Sequence, residues 1–162
     1  MITVQHPNYF HSVSASLLEH SKKLTTQQIN FFSHCRLLQD GKRMDFSTNS
    51  TINTEYYSPR NKLFEIYVPE ASHDKISANF IYIDGSTGDK TLEMMKSIAD
   101  TTNTLSIIDK CDNYTDVFTF GLPSNIKDAL NHHMSIMPVL KLYISDYLQD
   151  FKNQIHLGLQ QP

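Results

Sequence analysis

Side chains able to make or break bonds are few and scattered in this 162-residue chain. A catalytic nucleophile needs a base within hydrogen-bond reach and a donor for the oxyanion, which a sequence displays as a G-x-S-x-G elbow or an equivalent run. No such run occurs. The five glycines are dispersed, and Gly85-Ser-Thr-Gly88 follows neither phosphate-cradling order, so it reads as a turn. Cys35 and Cys111 lack a C-x-x-C partner and read as buried free thiols. Among the eight histidines, His132 and His133 adjoin, but helical neighbours point about 100° apart and do not chelate one ion easily. Asp112 and Asp116 read as surface carboxylates with nothing nearby to raise a pKa. These residues call for no catalysis, no cofactor and no metal, which leaves reversible binding.

Binding candidates come from strand alternation. Val117 and Thr119 share one face of a strand by period two, and Ser33 and Cys35 share one face of another. Small polar groups between apolar neighbours in this way line a pocket or fill a core. The elements that would position them follow from hydrophobic period and turn chemistry. Residues 12–23 carry Val13, Leu17 and Leu18 at helical spacing. Residues 29–38 and 42–48 are strand-like and meet across Asp40-Gly41, a two-residue hairpin signal. Asn49 caps a short helix that carries Ile52 and Tyr56 and that Pro59 ends or interrupts.

Residues 79–84 read as a third strand and 89–101 as a helix. Residues 105–110 and 114–121 form a second hairpin across Cys111-Asp112-Asn113. Two helical stripes close the chain, and Pro138 either kinks the element or starts a new helix. The sum is an α+β fold: a five-stranded, mainly antiparallel sheet sandwiched by helices in a PAS/GAF-like α-β-α arrangement. In such a design a sheet covers a cavity that can hold a small molecule.

Composition narrows the partners. The formal charge is -3 with no basic run beyond Lys22-Lys23, whereas duplex DNA readers carry a concentrated basic face. DNA is therefore not expected to bind this segment. The apolar runs are far shorter than the roughly 20 residues of a membrane span, and the N-terminus shows no signal pattern, so a cytoplasmic location and no membrane contact are expected.

The run FSHCRLLQDG from Phe32 to Gly41, FSTNS from Phe46 and INTEYY from Ile52 resemble the hairpin and first pocket helix of LuxR-type autoinducer-binding domains. YTDVFTFG from Tyr114 resembles that family's last strand, and the likeness extends over roughly residues 10–155. It implies ligand-site positions at Tyr56, which keeps the family tyrosine, and at Ile52, where the family has tryptophan. The family aspartate falls on Glu65 and a second tryptophan near Phe80. A family glycine falls near Asn103, a residue type that tolerates a left-handed backbone. Ile52 offers no donor for a lactone carbonyl, so the implied ligand is a small molecule other than an ordinary acyl-homoserine lactone.

The resemblance implies a sensory, quorum-sensing-like transcription-regulation role over residues 1–155. Residues 156–162 would be a frayed end or linker toward a separate C-terminal DNA-binding domain. The stripe Leu140, Ile144, Tyr147, Leu148 and Phe151 looks too wide for one sheet contact, and a homodimer through it is expected. The alternative is a ligand-free dimerisation or adaptor module whose aromatics fill the pocket.

Overall fold

A computed structural model describes residues 7–56, 79–86 and 88–160, with side chains from Ser12 onward. Helix α1 (Pro7–His20) runs into a 3₁₀ turn (Ser21–Gln27), then strands β1 (Phe31–Leu38) and β2 (Arg43–Ser47) and helix α2 (Ser50–Tyr56). After β3 (Phe80–Ile83) come α3 (Lys90–Ala99), β4 (Thr101–Lys110) and β5 (Tyr114–Pro123). Helices α4 (Ala129–Ser135), α5 (Met137–Asp150) and α6 (Lys152–Leu159) close the chain. The strands lie in the order β2-β1-β5-β4-β3, every pair antiparallel. This is the α+β, five-stranded sheet expected from the alternation.

Local chemistry sets the element ends. Pro7 opens α1 at a position where the missing N–H costs nothing, so the helix starts earlier than its apolar spacing suggests. The tightening into a 3₁₀ turn coincides with hydroxyls that bond the carbonyl three residues back: Ser21 to Leu18 (2.9 Å), Thr25 to Lys22 (2.6 Å) and Thr26 to Lys23 (3.3 Å). The side chain of Asp89 accepts from the Leu92 amide and caps α3. The left-handed residue ahead of the fourth strand is Asp100 (φ 52°), which caps the end of α3. Asn103, expected near that role, instead sits at a register shift between β4 and β5. Pro138 lies in the first turn of a separate helix, α5.

Both hairpin loops differ from expectation by one residue. The Leu38 amide bonds the Lys42 carbonyl, so the first loop holds Gln39, Asp40 and Gly41, with Gly41 at φ +87°. A left-handed glycine closing a three-residue loop is a standard alternative to the two-residue turn. In the second hairpin the Cys111 amide bonds the Tyr114 carbonyl and Lys110 pairs with Thr115, leaving Asp112-Asn113 alone as the loop.

One face of the sheet is closely packed at its centre. Phe32, Met44, Phe46, Leu105, Phe118 and Phe120 meet Leu17 of α1 and Leu140, Tyr143 and Tyr147 of α5. On the opposite face Gly121 of β5 leaves room for Phe31, because a Cβ there would come within 2.4 Å of the Thr101 methyl and 2.9 Å of Phe31 Cβ. The apolar stripe of α5 is covered within the chain: Leu140 and Tyr147 are 0% exposed, Phe151 4%, and Ile144 and Leu148 pack against the same core. Of the residues expected at a dimer surface, Leu140, Tyr147 and Phe151 are therefore core, while Ile144 and Leu148 are half-buried. The twisted sheet, with α1 beside it, covers more of the helix than a single flat contact would. Residues 156–159, part of the expected fray, instead belong to α6, in which Ile155 and Gly158 are buried.

Asp116, expected at the surface, is 1% exposed on this packed face. Its carboxylate receives Arg36 Nε and Nη2, both at 2.7 Å, and His34 Nε2–H at 2.9 Å. Because a carboxylate only accepts, His34 donates from Nε2, and its Nδ1 accepts the Tyr147 hydroxyl at 2.8 Å. Burial holds His34 below its ordinary pKa, and the hydrogen bonds from Arg36 and His34 hold Asp116 below the usual carboxylate range despite burial. His34 is thus a neutral imidazole beside an ionised carboxylate, stacked on Phe118 with ring centroids 4.6 Å apart.

Asp116→Ala should destabilise the chain by about 3 to 5 kcal/mol, since it leaves a buried guanidinium and imidazole without an acceptor. Tyr147→Phe, which removes one hydrogen bond, should cost about 1 to 3 kcal/mol. Urea denaturation measures both, and a loss under about 1 kcal/mol for Asp116→Ala contradicts this account.

Burial also lowers the pKa of His133 to about 4, while its Nε2–H donates to the Phe120 carbonyl at 3.2 Å. A folded pKa below the unfolded value of 6.5 means that the unfolded chain binds the proton first as pH falls. This contribution is complete above pH 6.5 and is lost on acidification toward about 4, ahead of the Asp116 contribution, which falls away below 3.8. The melting temperature should therefore drop between pH 6.5 and 4, and drop less in His133→Gln. A flat profile in the wild type over that interval contradicts the assignment.

Candidate functional site

The opposite face of the sheet carries a different set of side chains. Antiparallel partners project to the same side, so the register alone assembles a row across it. Ser33 of β1 pairs with Thr119 of β5, Thr119 with Ser106 of β4, and Ser106 with Ile81 of β3. Ser106 and Thr119 hydroxyls bond each other at 2.7 Å. On either side of this hydroxyl row lie Cys35 with Val117 and Phe31 with Ile83.

Helices α2 and α3 stand over this face, and Phe31, Ile52 and Met95 form a small apolar cluster between them and the sheet. Between sheet and helices lies a cavity of about 460 Å³. That volume is in the range of small-molecule sites. Ser33, Cys35, Ile52, Tyr56, Val117 and Thr119 all line it, so strand alternation and the pocket-helix spacing bring these six residues to one place. Glu65 lies outside the described residues.

Phe80 does not join them. Alternation along β3 turns Ile81 and Ile83 toward the cavity and Phe80 to the other side, paired with Ile107. There Phe80, 51% exposed, borders a second cavity of about 620 Å³ with Ile107, Met134, Met137 and Ile144. The expected position was one residue off, and one residue in a strand is a change of face.

Several lining residues escaped the sequence reading. Arg43 and Asp45 of β2 form a two-point ion pair, Nε to Oδ2 at 2.7 Å and Nη2 to Oδ1 at 3.2 Å, with side chains only 11% and 14% exposed. Cys35 pairs with Asp45 across the β1–β2 ladder, and the Arg43 guanidinium lies 5.5 Å from the Tyr56 ring centroid. In the first turn of α3, Thr91 Oγ1 is buried at the cavity with no hydrogen-bond partner among the described residues. A signal for Arg43 and Asp45 did exist, since both share a strand face by period two. Their side of the sheet depended on the loop length.

Electrostatics favours binding over catalysis here. Burial pushes the Cys35 thiol well above its ordinary pKa, which suppresses the nucleophilic thiolate. Burial likewise raises Tyr56, keeping its phenol protonated as a donor. Among the described residues no cluster of His, Cys, Asp or Glu could hold a metal ion, and no helix is long and apolar enough to cross a membrane.

No protein-family model and no curated protein matches the sequence. Solved structures do match. A crystal structure of Escherichia coli SdiA superposes with a TM-score of 0.56 at 9% identity, covering 83% of this chain and 61% of that one. SdiA in complex with octanoyl-rac-glycerol superposes with a TM-score of 0.50 at 10% identity, covering 84% and 61%. The chain thus spans about 61% of the length of these proteins and shares the SdiA fold over that part.

The cavity wall yields a direct check. Iodoacetamide at pH 8 should alkylate Cys35 at least about tenfold more slowly than free cysteine, followed by mass spectrometry of the Cys35 peptide. A rate matching free cysteine would contradict the dry environment assigned to that thiol.

Proposed function

We propose that this chain is a small-molecule-sensing domain of a LuxR-type regulator, binding an amphiphilic ligand between the sheet and helices α2 and α3. The observation that carries the reading is the contrast between the two sheet faces. One is closed by aromatics at its centre, with a hollow at its edge beside half-exposed Phe80, while the other leaves about 460 Å³ under two helices, bordered by a hydroxyl row and by Thr91 Oγ1, which has no partner among the described residues. A buried hydroxyl without a partner costs about 1 to 3 kcal/mol, which a ligand acceptor or donor would recover. The shared fold with SdiA, one structure of which holds octanoyl-rac-glycerol, supports the same reading.

In this reading DNA binding belongs to a separate C-terminal domain of a regulator acting in the cytoplasm, and the ligand state of the cavity controls it. The net charge of -3 agrees with a segment that does not itself grip phosphates. The alternative, a ligand-free dimerisation module, draws no support from α5, whose apolar stripe is already covered.

Thermal unfolding with octanoyl-rac-glycerol and calorimetry test the proposal. A ligand at about 100 times its Kd should stabilise the chain by about 2.7 kcal/mol. Val117→Trp, which fills the cavity, should abolish the effect, and Tyr56→Ala should weaken binding by about tenfold while lowering stability less. N-octanoyl homoserine lactone should bind one to two decades more weakly than octanoyl-rac-glycerol, because buried Ile52 supplies no donor (about 1 to 3 kcal/mol). Binding unchanged in Val117→Trp would overturn the site, and no stabilisation by any amphiphile of this size would overturn the function.

A further inference from the structure

The polar end of the cavity carries a feature that no search for catalysis or metals uses: an ion pair set into the wall of an otherwise largely apolar and hydroxyl-bearing chamber. Among the described lining residues the formal charges are Arg43, Asp45 and Asp89. The Asp89 carboxylate is engaged by the Leu92 amide at the start of α3, where the helix N-terminus compensates its charge. Arg43 and Asp45 compensate each other through two hydrogen bonds and are nearly buried.

We propose that the Arg43–Asp45 pair acts as a charge filter, so that the cavity admits amphiphiles with an uncharged polar head and rejects fatty carboxylates and alkylammonium ions of the same length. The proposal rests on the ligand-binding reading above and specifies the ligand class of that site.

A head group placed against the pair has few alternatives. An incoming carboxylate must either lie buried next to Asp45 or displace it from Arg43, and displacement strands the Asp45 charge in a site with 14% exposure. An incoming ammonium meets the mirror-image cost at Arg43. A hydroxyl or amide head avoids both, because a guanidinium has five donors and a carboxylate about four acceptor positions, so a further hydrogen bond to a neutral group does not require opening the pair. Such a head can accept from Arg43 and donate to Asp45 while the pair stays closed. The tail then runs over Phe31, Ile52, Met95, Ile81, Ile83 and Ile108, the apolar part of the same lining.

Calorimetry of the chain at pH 7.5 with decan-1-ol, decanoate and decylamine reads the filter directly. The alcohol should bind at least about tenfold more tightly than either ion. Asp45→Asn removes the carboxylate facing Arg43 and should raise decanoate affinity relative to the alcohol by about tenfold, and Arg43→Gln should raise decylamine affinity relative to the alcohol by about as much. Circular dichroism checks that each variant is folded, and the wild-type ranking stands as a test independent of both. Decanoate or decylamine binding the wild type as tightly as decan-1-ol overturns the filter and leaves the ligand-binding reading intact. Folded variants that do not change the ranking likewise overturn it. Absence of binding by all three probes removes the ligand-binding reading and the filter with it.

Discussion

A carboxylate with 1% exposure in the middle of a β-sheet has to be answered on every side, and Asp116 imposes that requirement on the rest of the molecule. Its two oxygens take Arg36 and His34 from the adjacent strand, and His34 passes the demand on to Tyr147 of α5. Three elements distant in sequence are thereby fixed in one geometry by directional bonds. Apolar contact alone would let α5 slide along a face of similar aromatic rings, whereas the Tyr147 hydroxyl reaches His34 Nδ1 in one placement.

With α5 fixed, the two faces of the sheet diverge. Phe32, Phe118 and Phe120 interlock with Tyr143 and Tyr147 at ring centroid distances near van der Waals contact, which closes the centre of that face and leaves its hollow at the β3 edge beside Phe80. The reverse face presents serine, threonine, cysteine and valine, whose side chains are too short to reach α2 and α3 across the gap. Space remains there because the helices rest on Phe31, Ile52 and Met95 as spacers. Solid support on one side and a cavity on the other is what a binding domain needs, since a site held on a rigid sheet keeps its polar groups in place. The ion pair of Arg43 with Asp45 extends the same logic to the cavity wall, where a compensated pair supplies hydrogen bonds without a net charge.

Where expectation and structure part, the causes are local and specific. Asp116 looked like a surface carboxylate because its partners lie on β1, about 80 residues earlier in the chain. The α5 stripe looked too wide because its width was judged against a flat sheet contact, while α1 also covers it and His20 packs on Tyr143 and Phe151. Residues 156–159 looked like the start of a frayed tail because their apolar content is low, yet Ile155 and the side-chain-free Gly158 let α6 lie close to the core.

The sequence by itself determined the strand and helix types, since period two in YTDVFTFG and period 3.6 around Ile52 and Tyr56 are local properties that tertiary packing had no reason to overrule. It also determined which residues travel together, so Ser33 stays with Cys35 and Val117 with Thr119 whatever the register. Only the tertiary structure decided which sets share a face. A two-residue loop at Asp40-Gly41 would pair Leu37 with Met44 and turn Arg43 and Asp45 toward the aromatic core. The three-residue loop pairs Leu37 with Arg43 and brings both charges to the cavity. That choice turns on one residue in a loop whose composition suits either length, and because side chains alternate with period two, a single residue of register moves every side chain of the strand to the other face.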